Sequence, residues 1–468
     1  MKAKKQPSPF GIRDKLGYLL GDLGNDFTFI LSSSFLLKFY TDVIKVSAGV
    51  VGLVMMLARF VDAVTDVSMG RICDRARPGA QGKFKPWIIR MAVPVAFSSF
   101  LIYQSSIAAA PMWLRILWLS VSYILWGSVF YTSINIPYGS MASTISREPS
   151  ERQSLSTFRT MGSTLAGAVI GVGIPLLAYD KRIVSGVQVA EMNGQRFTMI
   201  AGLFSLLAII SYILCYFMTT ERIIPESVEE KRRISLKEML KSSLTNPALI
   251  SIIVASVLML LSQFTLQQMS NYVFPDYYAS TEAQSVSTLT MLLSMAVAAV
   301  SARPLAEKFG KAEISAVSCL LASAVCLTLF FVRPRSVWAY VGLNLFSWLG
   351  LGLFAMVSWA LITDVIDSAE IKNGVREDGS IYALYSFSRK LGQAAAAGLS
   401  GLLLTLIGYG KTEGGLLPQS VKDGIFNIST LLPAVGFLLL AAVLWFWYPL
   451  HKQQVIKNTE ILRQKHGE

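Results

Sequence analysis

Apolar runs long enough to cross a bilayer recur along the whole chain, and the polar residues inside them fall at helical rather than alternating spacing. About twelve such runs are read as spanning helices. They cover 16–40, 47–72, 87–108, 112–145, 153–180, 197–219, 247–275, 285–306, 313–332, 337–366, 380–409 and 424–449. A long charged, apolar-poor interval from Glu221 to about Asn246 breaks the series after the sixth run. The expected architecture is an all-α integral membrane protein with twelve transmembrane helices in two six-helix bundles. Residues 1–219 form the first bundle, 220–246 a cytoplasmic linker, and 247–468 the second bundle with a cytoplasmic tail.

The polar interruptions carry the candidate chemistry. Between Val50 and Ile72, Arg59, Asp62 and Asp66 stand at i, i+3 and i+7, on one helical face. A charge at the centre of a spanning helix costs about 2.5–3.5 kcal/mol on an insertion scale, so this face is expected to line an ion or proton path. In the first run Asp22, Asn25, Asp26, Phe29 and Ser33 follow a similar spacing. A carboxylate at Asp26 can accept two hydroxyl hydrogen bonds, the geometry of a sugar diol, while an interhelical pair with Arg159 or Lys390 is the alternative. Ser128, Thr132, Asn135 and Gly139 share a face of the fourth run, with Trp126 and Tyr138 as apolar platforms for a sugar ring.

In the later runs, Arg159 and Lys390 are the intramembrane cations expected to face inward, with Arg389 snorkelling to an interface. Trp359 and Tyr382 complete the candidate substrate contacts. The cluster Asp364, Asp367 and Glu370, followed by Arg376, reads with Arg152 as a cytoplasmic gate. The segment Gly70–Arg75 after the second run is echoed by Ala306–Lys311 after the eighth, which supports an internal repeat.

Composition excludes most other classes. Of 468 residues 53% are hydrophobic and 15% charged, where a soluble protein carries about 25% charged residues. The net charge of +13 follows the tails and alternate loops, as the positive-inside rule requires, so it implies a membrane topology with both termini cytoplasmic rather than a nucleic-acid partner. Cys73, Cys215, Cys319 and Cys326 lie in or beside spans and are expected to be buried thiols. His451 and His466 fall in the tail, which leaves proton handling inside the membrane to carboxylates. The first run holds Asp22, Asn25 and Asp26 and reads as a retained helix, not a cleaved signal. No nucleotide loop, zinc-ligand spacing or nucleophile–base set points to an enzyme or a bound cofactor.

Several motifs together resemble a known family. Gly21-Asp22 with Asn25-Asp26, the run Ala58-Arg59 to Asp66, Gly82-Lys83-Phe84-Lys85-Pro86-Trp87, Asn135-Ile136-Pro137-Tyr138-Gly139-Ser140 and Arg376 to Tyr382 resemble the glycoside-pentoside-hexuronide cation symporters of the major facilitator superfamily. The resemblance covers the chain from about Lys15 to Leu450. It implies a twelve-helix major facilitator fold and sugar uptake coupled to protons, sodium or lithium. It also implies that Asp62, Asp66 and Thr132 bind the cation, and that Asp26, Arg159 and Lys390 belong to the sugar site and its charge network. Departures from the melibiose-type carriers are Thr65 in place of an asparagine, Asn135 in place of an aspartate, and Gly139 in place of a tryptophan.

Thr65 lacks the carbonyl oxygen of asparagine, which weakens a sodium site and favours the proton as coupling ion. Asn135 removes a negative charge, so an anionic glycoside such as a glucuronide or a sulfonated sugar, facing Arg159 and Lys390, becomes a candidate substrate. The expected protein is a monomeric, cation-coupled sugar symporter of a bacterial-type inner membrane, with sodium the one metal ion the site would hold. The alternative on the same fold is a transporter of lysolipids or other amphiphiles.

Overall fold

The computed structural model describes residues 9–76, 78–79, 81–223, 246–373, 378–410 and 416–466. Its long helices are α1 (Ile12–Asp42), α2 (Ala48–Arg75), α3 (Lys85–Ile102), α4 (Met112–Ile145), α5 (Pro149–Leu177) and α6 (Gly194–Met218). They continue with α7 (Pro247–Tyr277), α8 (Thr281–Phe309), α9 (Lys311–Val332), α10 (Val337–Asn373), α11 (Asp378–Leu406) and α12 (Gln419–Trp447), followed by a tail helix α13 (Lys452–His466). Ten of these are long and apolar enough to cross a membrane by length and composition. The exceptions among the expected spans are α1 and α11. Every run expected from the sequence coincides with one helix to within several residues.

The chain divides near residue 231 into two compact units. The expected linker 220–246 falls largely outside the described residues. Each unit repeats one packing scheme. In the first, α1 packs on α5 and α6, α3 on α4 and α6, and α2 on α4; in the second, α7 packs on α11 and α12, α9 on α10 and α12, and α8 on α10. The repeat extends to single residues. A Cβ on Gly162 of α5 would collide with the backbone carbonyl of Leu19 on α1, and one on Gly392 of α11 would come within 2.8 Å of the carbonyl of Val257 on α7. Both are close helix approaches that only glycine permits.

The loop after the second helix of each unit turns through a glycine with φ of +107°, Gly82 and Gly310. That equivalence is a stronger internal echo than the charged segments themselves.

In the first unit the Glu221 carboxylate accepts the backbone N–H groups of Lys83, Phe84 and Lys85 at 2.9, 2.8 and 2.7 Å. These are orphan donors at the N-terminus of α3, where negative charge is favoured. Arg222 adds an ion pair of 2.7 Å with Asp14 on α1. The second unit makes a shorter version of the clasp, with Glu313 accepting from the N–H of Lys452 at 2.9 Å. Replacing Glu221 with alanine leaves three donors without their charged acceptor and lowers stability by about 2 kcal/mol. Thermal unfolding of the purified variant in detergent reads that loss, and an unchanged midpoint would show that the clasp contributes nothing.

The sequence pattern did not announce the antiparallel hairpin between α5 and α6, Tyr179–Val184 paired with Val187–Met192. Ser185 and Gly186, both at positive φ, make its two-residue turn. All four cysteines are buried and free.

Candidate functional site

The charged face of α2 meets the middle of α4, and α4 is not a regular helix there. Residues Leu125–Tyr131 form a π-helical segment, in which the N–H of Thr132 reaches the carbonyl of Gly127. A π turn widens the helix and re-aims its side chains, a frequent device at functional sites. Here it presents Ser128 and Thr132 to successive carboxylates of α2. The Ser128 hydroxyl donates to Asp62 Oδ1 at 2.5 Å, and the Thr132 hydroxyl donates to Asp66 Oδ1 at 2.9 Å. Arg59 Nη1 closes the other side of Asp62, 3.1 Å from Oδ2, while its Nη2 lies 3.4 Å from the Tyr123 hydroxyl and its guanidinium stacks 5.5 Å from the Phe29 ring.

The structure therefore assembles Arg59, Asp62, Asp66 and Thr132 as one constellation. It adds Ser128, which the sequence placed on the right face of α4 without giving it a role. Thr65 is oriented differently. Its hydroxyl lies 3.2 Å from the carbonyls of both Val61 and Asp62 in its own helix, so it back-bonds to the backbone between the two carboxylates.

A second charged group sits where α1, α4 and α5 meet. Arg159 Nε donates to Asp22 Oδ1 at 2.9 Å, and its guanidinium lies 5.4 Å from the Tyr138 ring. The interhelical pair considered for Asp26 and Arg159 is thus made by Asp22, one turn earlier. Asp26 is half-buried on α1. A Cβ on Gly139 would lie 3.8 Å from Arg159 Nη1, so the small residue leaves room for the guanidinium.

Other candidates in this unit point into the bundle. Asn25 is buried and accepts the Tyr212 hydroxyl at 3.0 Å. Tyr138 is buried against Tyr18, with ring centroids 4.6 Å apart, and each hydroxyl reaches the other's carbonyl. Trp126 is buried between Tyr123 and Tyr131, and its indole N–H finds no hydrogen-bond partner among the described residues. Asn135 is half-buried on α4.

In the second unit Trp359 of α10 and Tyr382 of α11 stack with centroids 5.9 Å apart, and both rings are exposed. Lys390 is half-buried on α11. Of the expected gate residues, Asp364 is buried and paired with Lys311 at 2.6 Å. Glu370 is buried and Asp367 half-buried. Arg152 donates through Nε to the carbonyl of Ser146 at 2.8 Å, and Arg376 lies outside the described residues. Sequence reasoning passed over Lys38, which is wholly buried in α1 and paired with Asp42 at 2.8 Å. Its signal was present, a lone lysine in an apolar run with an aspartate four residues on.

A family profile described as MFS/sugar transport protein matches residues 17–452. The chain belongs to that family. Across 97% of its length it is 29% identical to an uncharacterized symporter of Bacillus subtilis, covering 96% of that protein. It is 28% identical to the glucuronide carrier protein homolog of Escherichia coli, over 94% of this chain and 92% of the relative. The crystal structure of a D-xylose-proton symporter superposes with a TM-score of 0.60 at 14% identity, covering 94% of this chain and 97% of the other. The chain has the all-α major facilitator fold. It is a multi-pass inner-membrane sugar transporter of the glycoside-pentoside-hexuronide type, and not an enzyme.

Proposed function

We propose that the protein couples the inward movement of a proton to uptake of a sugar or glycoside, by alternating exposure of one site to the two sides of the membrane. The carrying observation is the pair of acidic side chains on α2 that α4 meets with hydroxyls. Two carboxylates, Asp62 and Asp66, share a face with one guanidinium, Arg59, which pairs with Asp62. Asp66, one turn further on, receives a hydroxyl of α4 as Asp62 does, and this acidic pair inside a membrane span is the proposed seat of the coupling cation. Thr132 stands ready to orient the carboxyl.

A proton is favoured over sodium because, among the described residues, the arrangement supplies few oxygens beyond the carboxylates. Ser128 and Thr132 direct hydroxyls at Asp62 and Asp66, and Thr65 turns its own toward the helix backbone. Sodium requires a cage of several oxygen ligands, whereas a proton requires one. Asp26, near the Arg159–Asp22 pair, is the proposed acceptor for sugar hydroxyls. Name and sequence likeness to the glucuronide carrier homolog support a glycoside, including an anionic one.

Cation and sugar must each raise the other's affinity by the same factor. A thermal-shift screen of the purified protein tests the reading with neutral glycosides, glucuronides and sulfonated sugars, each with and without sodium and across pH. A ligand at 100 times its Kd adds about 2.7 kcal/mol. A proton-coupled carrier gives a glycoside shift that grows toward lower pH and ignores sodium. Asp26→Asn and Lys390→Gln lose the sugar shift and retain the pH response. A shift that appears only with sodium reverses the choice of ion, and no shift with any glycoside overturns the sugar assignment.

A further inference from the structure

We infer that Arg389, a residue outside the expected sugar site, receives an anionic substituent on the transported sugar; the inference rests on the sugar uptake proposed above. Arg389 lies eleven positions after Asp378, the first residue of the 29-residue α11, or about 16 Å along its axis. Tyr382, Ser386 and Arg389 stand at i, i+4 and i+7 and so share a face, with Lys390 one residue and about 100° further round. A membrane helix does not turn a guanidinium and two hydroxyl side chains toward lipid, so this face belongs to a watered path.

The surroundings of Arg389 are aromatic. Its guanidinium sits 5.7 Å from the ring centre of Trp359, which stacks on Tyr382 at an interplanar angle of 24°. Tyr385 meets Trp359 edge-on at 5.2 Å, and its buried hydroxyl has no hydrogen-bond partner among the described residues. Arg389 forms no ion pair among the described residues. Arg159, by contrast, is already committed to Asp22 at 2.9 Å and would have to surrender that carboxylate to bind another anion. An exposed, flat aromatic pair suits a sugar ring, and the planar guanidinium above it offers the forked donor geometry that carboxylates and sulfonates accept.

Matched ligand pairs isolate the charge. 4-Nitrophenyl β-glucuronide and 4-nitrophenyl β-glucoside differ only in a carboxylate against a hydroxymethyl group at C6. Methyl 6-deoxy-6-sulfoglucoside and methyl glucoside differ in the same place by a sulfonate. Binding to wild type, Arg389→Gln and Arg389→Lys is measured by calorimetry on the purified full-length protein. Arg389→Gln is expected to weaken the charged member of at least one pair by about 10-fold or more and the neutral member by less than about 2-fold. Arg389→Lys falls between, since it keeps the charge and loses the fork; it carries the test alone should the glutamine variant fail to fold. Which pair responds distinguishes a carboxylate from a sulfonate. Equal effects on both members, or none, overturn the role of Arg389 while leaving sugar transport standing. Wild type that binds only the neutral members also overturns it. Wild type that binds no member of either pair removes the proposed sugar uptake and this inference together.

Discussion

Asp66→Asn protein equilibrates its substrate across the membrane but no longer concentrates it. One monovalent charge moved through 100 mV releases about 2.3 kcal/mol, which supports roughly 50-fold accumulation, and this is the whole of what the substitution removes. Asparagine keeps the size of the side chain and an oxygen for the Thr132 hydroxyl, now 2.9 Å from Asp66 Oδ1, so that hydrogen bond survives. It cannot take up and release a proton. Asp62→Asn loses accumulation as well and carries a second penalty, because Arg59 is left without the carboxylate that now lies 3.1 Å from it. Breaking a buried ion pair from one side costs about 3–5 kcal/mol. The two variants therefore separate. In proteoliposomes with an imposed proton gradient both fail to accumulate substrate, while thermal unfolding shows a marked loss for Asp62→Asn and little for Asp66→Asn. Full accumulation by Asp66→Asn would remove that residue from the coupling site.

The helices and the face of α2 were legible because period and charge are local properties of a sequence. Asp62, Asp66 and Arg59 fall on one side of any helix drawn through them, and charge in an apolar run is too costly to be incidental. What the pattern could not fix was the choice between neighbours one turn apart. Asp22 and Asp26 lie on nearly the same face of α1, and Arg159 takes Asp22 because the axial register of α5 against α1 puts it there. Tyr138 and Asn25 look like cavity residues in sequence. Their partners, Tyr18 and Tyr212, come from packing between helices distant in the chain. On α11, Arg389 and Lys390 differ by about 100° in direction, and only the placement of Trp359 on α10 distinguishes which cation rests over an aromatic shelf. The π segment of α4 was illegible for a similar reason, since one widened turn alters the facing of Ser128 and Thr132 without altering their spacing.

Gly162→Ala destabilises the first bundle even though alanine is the better helix former. In a helix interior that exchange gains about 1 kcal/mol from backbone entropy. Against the gain stands the collision of the new methyl with the Leu19 carbonyl, with Leu19 on the neighbouring helix backbone and unable to rotate aside, and with Asp22 Cβ at 3.3 Å. Overpacking costs about 1–3 kcal/mol when side chains can adjust, and an obstruction by backbone falls at the upper end, so the clash wins. The displacement also reaches the charge network, because Gly162 stands three residues after Arg159 and moving α1 outward lengthens the 2.9 Å bond to Asp22. Thermal unfolding falls, and sugar-dependent stabilisation falls with it. Gly173→Ala is the internal control on the same helix. Nothing lies within 4 Å of a Cβ at that position, so only the helix-propensity gain remains and the variant unfolds at or above the wild-type temperature. Equal midpoints for the two variants would show that α1 and α5 are less closely apposed than the glycine contact requires.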